Sequence, residues 1–340
     1  MPDITTPRKR PTRNDVAERA QVSSAVVSYV MTGAKHVTPE TAKRVRTAME
    51  ELGYRPNSTA RALRTGRTHT LALIVADVSN PFFSEYALQL ETAATERGYA
   101  LLIANSHESL ETEVRLLDEI AQRGVDGVML SSVRHASDRA SLDAIPVPVM
   151  WIDAFHPADG AASVGVDIRH SARTVVRHLA EVHGCRSVGL VIGASSQDTT
   201  DPRVLGWAEA IEEIGLEPGP VVTTTWTREG GIEAARMLLD TPNRPDAVFA
   251  GSDLLGIGVL RGAADLGLRV PEDLRIISYD GTAESAFSVP RLTTFKQPVR
   301  EMARAAIDTI IDFTPEKARH TLFRGELLLR ESCGCAPAAP

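Results

Sequence analysis

From Leu71 onward, short runs rich in β-branched and large apolar residues alternate with stretches of helical periodicity. That alternation limits the possible folds more than any other feature of the chain. Candidate strands are Leu71–Val75, Ala100–Ala104, Gly127–Leu130, Val149–Ile152, Val188–Ile192, Ala247–Ala250 and Arg275–Ser278. Helical stretches between them include Phe83–Arg97, Glu111–Gln122, Ser171–Val182, Val204–Ile214, Gly231–Leu239 and Asp253–Leu266. Strands separated in this way build parallel sheets with helices on both faces. The segment is about 270 residues long, too long for one typical domain of ~100–200, so two lobes are expected. Open parallel sheets bind ligands beyond the C-terminal ends of their strands, and two such lobes can close on a small molecule.

Composition narrows the class. With 43% hydrophobic and 24% charged residues the chain is globular rather than disordered. No apolar run approaches the ~20 residues that cross a bilayer, so no membrane association is expected. The basic N-terminus is not followed by the apolar stretch of a signal peptide. Three cysteines cannot form a disulfide framework, and a cytoplasmic location is expected. The net charge of −7 argues against a nucleic-acid partner until it is divided. Residues 1–67 carry 13 Lys+Arg against 6 Asp+Glu, a net of +7, and the remainder carries −14. Phosphate attraction is screened within roughly 10 Å, so the local surplus decides.

Three short helices can be placed in the basic segment. Thr12 precedes Arg13–Ala20, with Asp15 three residues on as an acidic variant of the capping box. Ser23 caps a second helix from Ser24 to about Met31, after a turn at Gln21 and Val22. Thr38-Pro39-Glu40 opens a third with a cap, a proline at the first helical position and a carboxylate at the positive helix end. It carries Ala42, Val45, Met49 and Leu52 at three-and-four spacing and stops at Gly53. With Val16, Ala17, Val22, Val26, Val27 and Val30 these residues form one small core. This is the helix-turn-helix arrangement, whose second helix enters the major groove. Ser24 and Ala25, with Ser28 and Tyr29 one turn later, are placed to meet base edges. Tyr29 fits either that surface or the core. Asn57 caps a further helix through Leu63, too short to be stable alone in water.

The runs DVAERAQVSSAVVSYVMTG and VTPETAKRVRTAMEELGYRPNSTARALRTGRT, followed by Asn80-Pro81-Phe82-Phe83, resemble transcriptional repressors of the lactose-repressor (LacI/GalR) family. The resemblance implies an N-terminal all-α helix-turn-helix headpiece with a hinge helix. It also implies a C-terminal α/β two-lobed effector domain like the periplasmic binding proteins. The implied division is a headpiece over 1–56, a hinge helix and linker over 57–67, and an effector N-lobe over 68–164 plus 296–323. An effector C-lobe over 165–295 plus 324–332 and a loose tail over 333–340 complete it. The chain would cross between lobes near 163–166, Thr294–Gln297 and Leu322–Gly325. Family members are homodimers on palindromic double-stranded operator DNA, and their hinge helices fold in the minor groove. Leu63 matches the leucine wedged between base pairs, with Ala60 beside it and Arg61 and Arg64 on backbone or minor groove. Such a wedge accepts an unstacking cost in exchange for a bent, better-wrapped site. The candidate DNA contacts are thus Thr12, Ser23, Ser24, Ala25, Ser28, Tyr29, Asn57, Ala60, Arg61, Leu63 and Arg64. Gln21 stands where the family usually has glycine, and Val26 and Tyr29 replace the usual threonine and arginine of the reading helix.

For the effector, the resemblance points to Phe82, Phe83, Asp153, Arg203, Phe249, Asp253 and Asp280. Ser252 replaces a frequent asparagine and Gly281 a frequent second aspartate. These residue types suit a sugar or polyol, because carboxylates accept from vicinal hydroxyls and aromatic rings cover the apolar ring face. Each has a structural alternative: the aspartates as caps, Arg203 as an ion pair across the lobes, and Trp151, Trp207 and Phe249 as core.

A nucleotide-dependent enzyme would also use α/β lobes. Gly256-Ile257-Gly258-Val259-Leu260-Arg261-Gly262 mimics a nucleotide loop, but has three residues before the last glycine and lies inside a helical stretch, so close helix packing is expected. No P-loop, H-E-x-x-H or G-x-S-x-G pattern occurs, and no enzyme activity or cofactor is expected. The nine His and three Cys show no ligand grouping, so no metal is expected; Cys333 and Cys335 read as part of the loose tail rather than as ligands or an oxidisable pair. A solute-binding protein without DNA function shares the two-lobe plan, but the fused basic headpiece counts against it.

Overall fold

The computed structural model describes residues 11–55, 62, 65–131, 145–153, 162–193, 201–314, 316 and 318–336. The chain divides into two compact units, Met1–Thr68 and His69–Pro340.

In the first unit, α1 (Arg13–Arg19), α2 (Ser24–Thr32) and α3 (Pro39–Leu52) begin and end where local chemistry dictates. Thr12 and Asp15 form the full reciprocal capping box, with Thr12 N donating to Asp15 Oδ2 at 2.6 Å. Ser23 and Thr38 accept from Val26 N and Thr41 N, and Gly33 and Gly53 end their helices in the left-handed region. The core is Val16, Ala17, Ala20, Val27, Val45 and Ala48, with Val22, Val30, Met31, Met49, Leu52 and Tyr54 packed around it. Ala20 and Ala48 thus join the expected set, whereas Val26 and Ala42 stay half-buried outside it. Gln21, in the turn between α1 and α2, has φ +52°. That conformation suits glycine, the residue usual in relatives at this position, and crowds a side chain.

The second unit runs β1 (Thr70–Val75), α4 (Pro81–Glu96), β2 (Ala100–Asn105), α5 (Leu110–Gln122), β3 (Gly127–Leu130), β4 (Val149–Ile152) and β5 (Ala162–Val166). It continues through α6 (Ile168–Glu181), β6 (Ser187–Gly193), α7 (Pro202–Ile214), β7 (Glu217–Thr224), α8 (Arg228–Leu239), β8 (Ala247–Ala250), α9 (Asp253–Asp265), β9 (Arg275–Asp280) and β10 (Thr293–Lys296). It closes with α10 (Val299–Ile311), β11 (His320–Phe323) and β12 (Glu326–Leu328). Two six-stranded sheets result, ordered β11-β5-β4-β3-β1-β2 and β12-β10-β9-β8-β6-β7. All pairings are parallel except β10 with β12. The chain passes between sheets at Asp167, at Gln297-Pro298 and at Arg324-Gly325. Gly325 has no room for a side chain, since a Cβ there would lie 2.2 Å from the Lys296 carbonyl oxygen.

Gly258 and Gly262 of α9 serve close packing on α8, whereas Gly256 faces Ser278 of β9 and Leu292. A Cβ on Gly258 would sit 2.2 Å from Arg228 O, and one on Gly262 would sit 2.4 Å from Ala235 Cβ. The predicted strands all form, and β5, β7, β10, β11, β12 and helix α10 are added to them. Strand β7 carries Pro218-Gly219-Pro220 and survives because it lies at a sheet edge, where missing N–H donors do no harm.

The loose tail expected from Cys333 is corrected over residues 333–336. Glu331–Cys333 forms a 3-10 turn, and Cys333 is fully buried. Ser332 explains this order: it donates to Ile276 O (2.7 Å) and accepts from Thr293 N (2.8 Å), so it satisfies two sheet groups at once. Residues 337–340 lie outside the described set.

The turn geometry makes a test. Gln21→Gly should stabilise the first unit by about 0.5–1 kcal/mol, because relief of the left-handed side chain outweighs the added freedom of the unfolded chain. Urea melts of the full chain followed by helical signal would check it; a lowered midpoint would contradict the assignment.

Candidate functional site

The candidate DNA-facing residues of the first unit cluster on and around α2. Thr12, Ser23 and Ala25 are exposed, and Ser24, Ser28 and Tyr29 are half-buried. Thr12 and Ser23 also serve as caps, so their exposed hydroxyls stand at helix N-termini, where backbone N–H groups favour phosphate. Tyr29 stays out of the core cluster, and the Lys35 ammonium lies 5.2 Å from its ring centre. The open choice for Tyr29 is therefore resolved towards the surface. Arg13, Lys43, Arg44, Arg46 and Arg55 are exposed on the same unit, and Arg19 pairs with Glu51 at 2.6 Å. Asn57, Ala60, Arg61, Leu63 and Arg64 lie outside the described residues.

A second site lies in the other unit, beyond the C-terminal ends of both sheets. Asp153 follows β4, Asp253 follows β8, Asp280 ends β9 and Gln297 follows β10. Arg203, in the first turn of α7, is 5% exposed. Its Nε donates to Gly251 O (3.1 Å) and its Nη1 to Asp201 Oδ2 (3.2 Å). The guanidinium lies over the rings of Trp226 (5.0 Å) and Tyr279 (5.3 Å). Burial works against its charge, but Asp201, Tyr279, Asp280 and Asp153 outweigh burial and hold it protonated. Burial pushes the Asp153 carboxyl up to about 7, with Arg203 pulling it down and Asp201 pushing it further up. Asp280 is raised well above the carboxylate range, first by burial and then by the neighbouring Asp253. Asp153 (φ +52°) and Asp280 (φ +114°) both hold backbone conformations that side chains rarely adopt, a mark of a site maintained for function.

Two buried polar atoms around this cluster have no hydrogen-bond partner among the described residues, the Tyr86 hydroxyl and Gln297 Oε1, and the buried Tyr279 hydroxyl is within reach of Ser171 alone among them. The pKa of Tyr86 is raised by burial and then by Asp153, and that of Tyr279 well above its usual value by burial, with Asp153 and Asp280 adding to it. Gln297 Nε2 donates to Asp280 Oδ1 at 3.1 Å, and its backbone N donates to Asp280 O at 3.1 Å. Tyr86, Trp226, Tyr279 and Gln297 are absent from the sequence-based set. Their polarity becomes informative only once burial is known.

Other expected residues fall differently. Phe249 is fully buried in the central strand β8 and packs in the core cluster, the structural alternative for this residue. Trp151 and Trp207 are likewise core, with Trp207 Nε1 donating to Val188 O. Asp253 is a buttress at 2% exposure: Oδ1 accepts from Ser278 and Thr294 Oγ1, and Oδ2 from Thr282 N and Thr282 Oγ1. Phe82 is buried against Phe83 and Tyr86, and Phe83 is half-buried. Gly281 has no room for the aspartate that relatives often carry, since a Cβ there would lie 2.5 Å from Lys296 Cα. The absence of a metal grouping is also corrected, because the fold gathers His178, His183, Cys333 and Cys335.

A helix-turn-helix unit joined to a two-lobed α/β unit defines the class of two-domain transcriptional regulators. The chain belongs to the LacI family. Residues 12–57 match the bacterial regulatory proteins of the lacI family, and residues 176–333 match a periplasmic binding protein-like domain. It is 35% identical to the catabolite control protein A of Priestia megaterium, covering 86% of this chain and 89% of that one. It is also 35% identical to the HTH-type transcriptional regulator CelR of Thermobifida fusca, over 96% of this chain and 99% of that one. Among solved structures, a CelR–cellobiose complex superposes with TM-score 0.70 at 31% identity, covering 95% of this chain and 100% of that one. The lac repressor dimer bound to operator and an anti-inducer superposes with TM-score 0.85 at 24% identity, over 96% and 99%. The protein is a DNA-binding transcriptional regulator and not an enzyme.

Two measurements probe the site. An acid whose folded pKa is raised binds its proton more tightly when folded, so Asp153 makes stability fall as pH climbs from the unfolded value near 4 to about 7. Asp153→Asn should flatten that part of the stability–pH curve relative to the wild type; superimposable curves would refute it. Asp253→Ala should destabilise by about 3 kcal/mol, because it strands several buried donors. A loss below about 1 kcal/mol in urea melts would remove Asp253 as a buttress.

Proposed function

We propose that this chain is a homodimeric cytoplasmic repressor whose affinity for a palindromic operator is set by a small polyhydroxylated effector between its lobes. The observation that carries this reading is the pair of unpartnered polar atoms, the Tyr86 hydroxyl and Gln297 Oε1, beside the buried Asp153, Arg203, Tyr279 and Asp280. Leaving such atoms dry costs about 1–3 kcal/mol each, which a hydrogen-bonding ligand recovers. Carboxylates accept from vicinal hydroxyls, phenols can donate or accept, and aromatic rings cover a sugar's apolar face. Relatives support the class: one solved relative is a cellobiose complex, and another relative is named a ribose operon repressor.

Control follows from where these groups sit. Gln297 stands at a crossing between lobes and holds Asp280 through both side chain and backbone. Ala283 N, beyond β9, donates to Glu85 Oε1 on α4 at 2.8 Å, a contact that joins the lobes. An effector with different affinity for the open and closed arrangements shifts their populations. In a dimer this changes the spacing of the paired hinge segments, and so links effector and operator affinities reciprocally. Leu102 and Ile103 on edge strand β2 are exposed apolar residues, as are Leu88 and Val114, and they suit burial against a second copy. No helix among the described residues is long and apolar enough to cross a membrane.

A panel of sugars and polyols, screened by thermal shift on the full chain and then in operator-binding assays, tests the reading. Asp280→Asn should keep operator binding and abolish the effector response; a normal response removes Asp280 from the site. Leu63→Ala should weaken operator binding and reduce DNA bending with effector affinity intact. Unchanged bending would sink the wedge.

A further inference from the structure

Four side chains with no part in DNA or effector binding converge on the outer end of α6. His178 lies in the last turn of α6, and His183 follows five residues later. Cys333 and Cys335 arrive from the end of the chain. Their four ligand atoms all lie within 4.8 Å of one another. Cys335 Sγ is 3.5 Å from His178 Nε2 and 3.3 Å from His183 Nε2, and the two Nε2 atoms are 3.2 Å apart.

We propose that His178, His183, Cys333 and Cys335 form a structural zinc site. Zinc bonds of about 2.0–2.1 Å to nitrogen and 2.3 Å to sulfur put tetrahedral ligands about 3.3 Å (N to N) and 3.6 Å (N to S) apart. The three measured separations match those edges, so only Cys333 needs to swing inward. Two thiolates and two neutral imidazoles make a borderline-soft donor set that suits zinc and leaves a divalent ion neutralised.

Local geometry supports the assignment. The histidine spacing, with four residues between ligands, falls within the range usual for zinc sites. The cysteine spacing, with one residue between, is tighter than usual. Gly334 makes it possible: at φ +95° it turns the chain so that both sulfurs reach one side. Thr293 Oγ1 donates to Cys333 Sγ at 3.1 Å, an outer contact that orients the thiolate. Arg275 approaches the same turn: its buried Nε lies 3.7 Å from where a Gly334 Cβ would lie, and its guanidinium hydrogen-bonds the Cys185 thiol. With four protein ligands and no open position, the site is structural and staples the end of the chain to α6.

The test uses the full chain, purified under a phosphine reductant, stripped with a chelator, and reloaded with zinc or cobalt(II). One zinc per chain should survive gel filtration. Cobalt should give thiolate charge-transfer bands with the intense ligand-field bands of tetrahedral geometry. Zinc should also raise the thermal midpoint, reversibly with chelator. Cys335→Ser and His183→Gln change half-buried side chains, and each should weaken zinc binding at least about tenfold while the chain stays folded and binds operator. A stripped chain that takes up no zinc overturns the proposal. So does an octahedral cobalt spectrum without thiolate bands, or equal zinc retention in both variants, which would mark adventitious binding elsewhere.

Discussion

A buried guanidinium organises the sensing unit. Arg203 cannot be kept out of water unless its charge and its donors are met inside the protein. Asp201 and Gly251 meet the donors, Trp226 and Tyr279 cover the faces, and Asp153 and Asp280 supply the compensating field. The consequence reaches beyond one ion pair. Asp153 follows β4 of the first sheet, whereas Tyr279 and Asp280 lie in β9 of the second and Asp201 caps α7, so the charge balance of the site depends on how the lobes meet. A group inserted between them must replace part of that balance, which makes lobe closure sensitive to what is bound.

Two aspartates side by side show how environment divides roles. Asp253 and Asp280 are close enough to repel, yet Asp253 is surrounded by donors from Ser278, Thr282 and Thr294. Among the described residues the Asp280 carboxylate accepts only from Gln297 and, weakly at 3.4 Å, from Asp253 N. The first carboxylate is consumed in holding β8, β9 and β10 together. The second retains unused acceptor capacity, next to a residue that carries the chain between lobes.

The headpiece was legible almost to the residue because its signals are local. A capping hydroxyl, a proline at the first helical position and a glycine after the last turn act within four residues of one another. The sheets were legible where strands are long and branched. They were not legible at β7, where prolines mask an edge strand, or at β10, whose threonines are buried only because Asp253 and Cys333 partner them. Phe249 was left between core and ligand for a related reason: a strand covered on both faces reads the same in sequence as one that presents a ring to a ligand.

Pattern and resemblance in the sequence were enough to determine the helix-turn-helix unit and the division of charge between a basic headpiece and an acidic second unit, and they singled out Asp153, Arg203 and Asp280, which the fold brings together. Tertiary structure alone decided which polar groups are left without partners there, because Tyr86 and Gln297 are ordinary surface-compatible residues until distant parts of the chain bury them. It also decided that His178 and Cys335, separated by 157 positions, meet at 3.5 Å. Caps and periodicity act through the backbone over a few residues, whereas desolvation and ligand geometry arise only when separate parts of the chain share one small volume.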